Sequence, residues 1–177
     1  MNTVLLVILI IVATPFVIAL FTKKGYYVER NIVVNQPKAI VFDYLRYLKN
    51  QDYFSKWVMT DPDKKTTFKG TDGTVGCVYA WDGNKKAGKG EEEIVKITEG
   101  ELIDIEVRFE RPFKAVAYIP FTLTGLSSTE TKVTWSMRSR MNYPMNFMLL
   151  ALNMEKMLGA DMDESLLNLK KILEGKG

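Results

Sequence analysis

The chain contains nineteen consecutive residues, Thr3–Phe21, without a charged side chain, and sixteen of them are strongly apolar. A helix of this length rises about 28 Å, close to the hydrocarbon thickness of a bilayer. Lys23 and Lys24 follow it, and the composition after them is that of an ordinary soluble domain. The sequence therefore predicts a single-pass membrane anchor within residues 1–25 and one globular domain over residues 26–177.

Two other interpretations of the apolar run remain open at this point. A cleaved secretory signal would end at small residues, whereas this run ends in Leu20, Phe21 and Thr22. A buried core helix is the third interpretation. If the run spans the bilayer through residues 3–21, the lysine pair lies on its carboxyl side, and the positive-inside rule places the domain in the cytoplasm.

The composition excludes several classes of function. The chain has no histidine, which removes Ser-His-Asp and Cys-His catalysis and every histidine-containing metal site. The single cysteine, Cys77, lies between apolar residues and is predicted to be a small buried core residue. A net charge of +3 is too balanced for a dedicated nucleic-acid binder. We therefore expect no metal, no cofactor and no nucleic-acid partner, and we assign no catalytic residue.

The order of predicted elements after the anchor is β-α-α, then six strands, then a helix. Residues 26–35 alternate and are rich in Val and Ile, which predicts a first strand. Pro37 stands where a helix would begin, helical spacing continues to about Lys49, and residues 50–57 predict a second short helix or tight turn. The apolar period then changes to two, which predicts strands over residues 66–69, 76–82, 90–98, 101–110, 113–125 and 131–140.

The last segment returns to helical spacing and predicts one long helix. Its apolar stripe consists of Met154, Leu158, Met162, Leu166, Leu169 and Leu173. The stripe keeps its phase across Gly159, which favours one continuous helix, with the glycine as a candidate weak point in it. Short turns join the strands as antiparallel hairpins, because parallel pairing needs a long crossover. A sheet with one apolar face must cover that face, and the final helix is the obvious cover, which gives an α+β fold.

This order of elements resembles the helix-grip, or START-like, superfamily, and within it the polyketide cyclase/dehydrase-like group of SRPBCC proteins. The matching stretches are framework residues with no catalytic signature: 28–37, 41–44, 50–57, 61–63, 76–83, 88–90 with Ile94, 109–113, 131–135, 154–159 and 166–172. The resemblance implies a curved antiparallel sheet of seven strands around the long C-terminal helix. It also implies an apolar cavity between sheet and helix, used in the superfamily for lipids, sterols, polyketides or hormones.

Two patterns favour such a cavity here. Ala115 and Ala117 are predicted on the inner face of strand 113–125, where they leave space beneath the helix or allow close helix-on-sheet packing. Seven of the nine methionines lie between Met137 and Met162, which suits an adaptable pocket wall or ordinary core filling. The candidate ligand-cavity residues are Trp57, Tyr79, Trp81, Phe109, Ala115, Ala117, Phe121, Trp135, Met137, Met154, Met157 and Leu158.

The leading functional hypothesis is a membrane-tethered module that binds a small apolar ligand, such as a lipid, an isoprenoid or a polyketide-like compound. One alternative is a cyclase, dehydratase or hydrolase-type enzyme, for which Tyr79, Glu92 and Arg140 are the candidate ionisable groups. Another is a protein-interaction domain that resembles the Hsp90 activators.

The segment 83–90 nearly matches a phosphate-binding loop, but three glutamates follow it, so it is predicted to be a solvated hairpin. A second, weaker interpretation is that its lysines, Lys85, Lys86 and Lys89, contact anionic lipid headgroups.

Overall fold

The computed structural model describes residues 2–175, and its N-terminal helix, α1 (Thr3–Phe21), stands almost entirely free of the rest of the chain. Ala19 is its one buried residue. The helix has a mean hydropathy of 3.2 and is long and apolar enough to cross a membrane. Its packing is therefore unlike that of a core helix, which would be covered on at least one side.

The remaining elements follow the predicted order closely. Two 3₁₀ turns, Leu48–Asn50 and Val58–Thr60, lie between the first and second strands along the chain, and a third, Met145–Leu150, precedes the last helix. The helices and strands are β1 (Gly25–Val34), α2 (Lys38–Leu45), α3 (Gln51–Phe54), β2 (Lys65–Lys69), β3 (Val78–Asp82), β4 (Lys89–Thr98), β5 (Leu102–Arg111), β6 (Ala115–Tyr118), β7 (Phe121–Gly125), β8 (Thr131–Arg140) and α4 (Met154–Leu173).

The strands form one antiparallel sheet in the order β1-β8-β6-β5-β4-β3-β2, with β7 paired to β5 and β8. The sheet has eight strands rather than the predicted seven, because the predicted strand 113–125 is divided at Ile119 and Pro120. Proline has no N–H for the ladder, so the ladder is interrupted there, although β6 and β7 keep the same register with β5 and β8. Alternation in the predicted strand 113–125 would place Phe113 on the same inner face as Ala115 and Ala117, but Phe113 lies before β6 in the β5–β6 hairpin and is 68% exposed.

Helix α4 packs across the inner face of the sheet and is the cover that the sequence predicted. Its apolar stripe is buried at Met162, Leu166 and Leu169. The facing strand residues continue the same core, with Val28, Ile94, Ile103, Ile105, Phe121, Val133 and Trp135 all buried. Cys77 is also buried, as expected.

Gly159 is not a weak point of α4, which runs unbroken from Met154 to Leu173. The guanidinium of Arg30, on β1, lies against the helix at this residue, and a Cβ at position 159 would come within 1.9 Å of it. Arg30 forms ion pairs with Glu155 at 2.5 Å and with Asp163 at 2.9 Å, one helical turn to either side. Glycine therefore admits an arginine that connects the helix to the edge strand.

Candidate functional site

A cavity of about 260 Å³ lies between the inner face of the sheet, the segment 51–64 and helix α4. Strands β1, β3, β4, β5 and β8 contribute to it, and α4 contributes one residue. The lining residues are Tyr26, Gln51, Ser55, Trp57, Val58, Thr60, Lys64, Tyr79, Trp81, Lys86, Ala87, Glu92, Val107, Phe109, Ile119, Trp135, Met137 and Leu158. Most of this surface is aromatic or aliphatic, which is typical of small-molecule sites.

Three tryptophans form much of the apolar wall, and neighbouring groups hold each of them in place. Trp57 packs against Trp135 at 5.3 Å between ring centroids, and its Nε1 donates to Asp161 on α4. Trp81 meets Phe109 edge to face at 6.0 Å and donates to the carbonyl of Ala87 at 3.0 Å. Because aromatic contacts and hydrogen bonds fix these rings, the wall is preformed.

Glu92 places a carboxyl group in this apolar cavity. Its side chain is almost wholly buried, and the amide of Gln51 donates to Oε1 at 3.0 Å. Burial raises the pKa of Glu92 to about 8, the Gln51 hydrogen bond opposes that rise, and the negative charges of Asp52 and Asp72 add to it. The group is therefore poised between its protonated and ionised forms near neutral pH.

A second polar group, Tyr79, lies beside Glu92 because the two residues are cross-strand partners on β3 and β4. Its hydroxyl donates to Oδ1 of Asp52 at 3.1 Å, and Lys64 forms a salt bridge to the same oxygen at 3.0 Å. Burial and the nearby Asp52 carboxylate raise the pKa of Tyr79 above its usual range. Tyr79 is therefore a neutral hydrogen-bonding group at the cavity wall.

Two further polar atoms of the lining have no hydrogen-bond partner among residues 2–175. They are Oγ of Ser55 and Nε1 of Trp135, and both residues are buried. Buried polar groups are nearly always paired, and leaving one unpaired costs roughly 1–3 kcal/mol. With Glu92, these atoms give the largely apolar cavity a set of groups that a polar atom of a ligand would satisfy.

Seven of the twelve residues that the sequence predicted for the cavity line it, and two others lie in the core around it. The seven are Trp57, Tyr79, Trp81, Phe109, Trp135, Met137 and Leu158. Ala117 and Phe121 are fully buried behind the lining, where Phe121 stacks on Trp135 at 4.9 Å. The alanine therefore reflects close packing of the sheet rather than open space.

The other three predicted residues lie outside the cavity. Ala115 is the first residue of β6 and lines a separate groove near the start of β1. Met154 is the first residue of α4 and borders a groove next to α1. Met157 precedes the cavity-lining Leu158 by one position, about 100° around the helix, and is 51% exposed. The methionine-rich segment therefore contributes only Met137 to the cavity wall.

Of the three ionisable groups named for an enzyme, Tyr79 and Glu92 line the cavity and Arg140 does not. Arg140 ends β8, is exposed, and lines the same separate groove as Ala115. The sequence did not predict three polar residues of the lining, Gln51, Ser55 and Lys64. The order of elements does not show which polar side chains of segment 51–64 point into the cavity. Within residues 2–175, no three Asp, Glu or Cys side chains are grouped closely enough to hold a metal ion.

Residues 27–174 match the model of a protein family described as polyketide cyclase / dehydrase and lipid transport. The chain belongs to this family. No curated protein matches the sequence. Membership of the polyketide cyclase / dehydrase and lipid transport family supports a fold that binds ligands or performs cyclase-type chemistry.

Solved structures show the same fold at low sequence identity. Norcoclaurine synthase from Thalictrum flavum, in complex with dopamine and hydroxybenzaldehyde, is 10% identical with a TM-score of 0.62, over 91% of this chain and 94% of that one. A protein from Chromobacterium violaceum is 14% identical with a TM-score of 0.59, over 84% and 96%. A protein from Nitrosospira multiformis is 16% identical with a TM-score of 0.58, over 84% and 96%. At these identities the likeness shows the fold alone.

Proposed function

We propose that this chain is a membrane-tethered module that binds a small, mainly apolar ligand in the cavity beneath α4. The observation that carries the proposal is a preformed cavity of about 260 Å³ whose wall is largely aromatic and aliphatic. Ligand sites are typically concave and apolar, with a few polar groups that orient the ligand. Family membership supports the same role.

The volume of the cavity limits the size of the ligand. A dry cavity of about 150 Å³ accepts benzene, so about 260 Å³ accommodates on the order of ten to twelve non-hydrogen atoms. A complete two-chain lipid is too large to be enclosed. An isoprenoid of two units, a bicyclic polyketide-like compound or one segment of a lipid chain is of suitable size.

The polar groups of the lining favour a ligand with one polar end. Glu92, Ser55 and Trp135 supply a carboxyl group, a hydroxyl and an N–H, and within residues 2–175 the Gln51 amide on Glu92 is their one side-chain partner. A hydroxyl or carbonyl on an otherwise apolar ligand would pair with them and remove the cost of leaving them unsatisfied. The expected ligand is therefore a compact amphiphile.

Helix α1 supports the tether. It is apolar, long enough to span a bilayer and exposed along nearly all of its length, and water is a poor environment for such a surface. Lys23 and Lys24 at its carboxyl end favour a domain on the cytoplasmic side. The tether would hold the cavity next to the bilayer, where apolar compounds concentrate.

Binding of 2-naphthol, which has eleven non-hydrogen atoms and one hydroxyl, tests the cavity directly. We expect the full-length chain in detergent to bind it, and to bind naphthalene about tenfold more weakly because naphthalene cannot pair with the polar groups. Replacing Leu158 with tryptophan should abolish both by filling the cavity. Isothermal titration calorimetry measures the binding of both compounds to the wild type and to the variant.

Leu167→Trp is the matched control for that experiment. Leu167 lies on the same helix and is 52% exposed, so the added ring should extend into solvent and leave binding unchanged. Any partition of the probe into the detergent is the same for both variants. Equal binding by the wild type and the Leu158→Trp variant would contradict a ligand site in the cavity.

A cyclase, dehydratase or hydrolase-type enzyme is the second candidate, and the burial of Glu92 in the cavity favours it. A carboxyl group with a pKa of about 8 is suited to accept and return a proton near neutral pH. Exchange of the α-hydrogens of 2-tetralone, a bicyclic ketone of the right size, in D₂O tests this by NMR. A general base should accelerate exchange by about a hundredfold over the Glu92→Gln variant. Equal rates would leave ligand binding as the function.

A further inference from the structure

One end of the sheet carries the junction with α1, and the antiparallel register brings several hairpins to the same end. Gly25, at the start of β1, is opposite Arg140 at the end of β8. Ala117 of β6 pairs with Ser139, so the β5–β6 hairpin extends beyond Arg140 in the same direction. Arg111 pairs with Lys89 and Lys89 with Asp82, so the β3–β4 hairpin lies at this end as well. We call this the anchor end of the sheet: residues 23–25, 83–89, 111–115 and 140–153.

The anchor end carries an excess of positive charge. Six exposed cations there form no salt bridge within the part of the chain that the structure describes, namely Lys23, Lys24, Lys85, Lys86, Lys114 and Arg140. Two further cations, Lys89 and Arg111, pair with the local carboxylates Glu110 and Asp82. The turns at the opposite end carry Glu99, Glu101 and Glu130. The sheet therefore presents a basic end toward the side on which α1 leaves the domain.

The segment from Met141 to Leu152 joins β8 to α4 without a charged residue, and it lies directly against the last turn of α1. The buried amide of Asn146 donates to the carbonyls of Ala19 and Thr22 at 2.7 and 3.0 Å. Ala19 lies within the apolar run, so Asn146 lies level with the carboxyl end of that run along α1. Leu150, which is 68% exposed, and Met145 lie in the same 3₁₀ turn.

We propose that the anchor end docks onto an anionic bilayer, with its cations on the headgroups and its exposed apolar side chains in the interface. The proposal rests on the membrane placement of α1 given under the proposed function. Phe113 in the β5–β6 hairpin and Leu150 beside α1 are the apolar contacts. Basic residues over an interfacial apolar surface are the pattern that binds anionic membranes.

Docking in this orientation places the rim of the cavity at the membrane. Lys86 and Ala87 belong to the β3–β4 hairpin of the anchor end and also line the cavity. Tyr26 lines the cavity and the groove beside α1 as well. A compact amphiphile dissolved in the bilayer would therefore reach the cavity along a short path at the protein–lipid boundary.

Site-specific labels in nanodiscs test the proposal on the full-length chain. An NBD fluorophore is attached to Phe113→Cys, to Leu126→Cys in the β7–β8 turn at the opposite end, and to Val12→Cys in the middle of α1. The native Cys77 is wholly buried, and burial raises the pKa of its thiol to about 11, so it should not be labelled. In discs with anionic lipid we expect doxyl-lipid quenching at positions 12 and 113 and none at 126.

A charge-reversal pair tests the electrostatic part. Each lysine near an anionic surface raises the equilibrium constant for docking roughly fivefold, so Lys85→Glu with Lys86→Glu should lower that constant, measured by quenching at position 113, at least ~25-fold. Lys69→Glu with Lys96→Glu is the matched control, because both lysines are exposed and lie away from the anchor end. Zwitterionic discs should reduce quenching in the wild type as well.

The outcomes separate this proposal from the one on which it rests. Quenching at position 12 without quenching at 113 would overturn docking and leave the tether intact. No quenching at position 12 would overturn the tether and docking together. A blue-shifted label at 113 without doxyl quenching would mean that a second copy of the chain covers this surface, which also overturns docking. Quenching at 113 unaffected by the Lys85 and Lys86 reversals would overturn the role of the cations.

Discussion

Replacing Glu92 with glutamine is expected to raise the free energy of unfolding by about 4 kcal/mol at pH 8.5 and to change it little at pH 4.5. Burial raises the pKa of Glu92 to about 8 in the folded chain, whereas its usual value is 4.5. Between these values the unfolded chain releases a proton that the folded chain retains, so the stability of the wild type falls as the pH rises through this window. The amide stays neutral and remains a partner for Gln51.

Urea unfolding of the full-length chain in detergent, followed at pH 4.5 and 8.5, measures this difference. Glu101→Gln removes a carboxyl group from the exposed turn between β4 and β5 and serves as the control, with little expected change at either pH. A wild type and Glu92→Gln pair whose difference in stability is independent of pH would show that Glu92 titrates in the folded chain as it does in water.

Replacing Trp135 with alanine is expected to destabilise the fold by about 3–5 kcal/mol, because it removes the largest fully buried side chain of the core. Trp135 stacks on Phe121 on one side, contacts Trp57 on another, and forms part of the cavity wall. For a chain of this size the midpoint of thermal unfolding should fall by roughly 10 °C. Differential scanning calorimetry measures the change.

Added indole should recover part of the stability lost in the Trp135→Ala variant, because the vacated space has the shape of its ring and is continuous with the cavity. The wild type should respond much less. Phe113→Ala is the aromatic control, and its 68% exposure predicts a change within about 0.5 kcal/mol. A loss below about 1 kcal/mol for Trp135→Ala would contradict the packing described for this wall.

The order of elements was predictable from the sequence because it depends on local periodicity. Alternation placed Val133, Trp135 and Met137 on one face of β8, and all three are buried. The stripe of α4 was predicted by helical spacing, and it packs on the sheet as expected. The division of strand 113–125 was missed, because Pro120 interrupts the ladder without changing the inward phase of Ile119, Phe121 and Leu123.

Which polar side chains enter the candidate site depends on how the strands pair in the sheet. In the run of three glutamates, Glu91 and Glu93 form salt bridges with Arg108 on one face of the sheet, and Glu92 points into the cavity from the other. Alternation within β4 shows that Glu92 opposes its two neighbours, but only the pairing with β3 and β5 shows that its face is the covered one. The same holds for Gln51 and Ser55, whose inward direction is set by packing against the sheet.

The sequence by itself determined the elements, their order, the apolar helix near the N-terminus and the family, because these follow from side-chain periodicity and local framework residues. The tertiary structure alone decided the volume of the cavity, the burial of Glu92, the unpaired atoms of Ser55 and Trp135, and the grouping of basic hairpins beside α1. These properties arise between residues far apart in the chain, and their distances and exposure to water are set only when the sheet pairs and α4 packs on it.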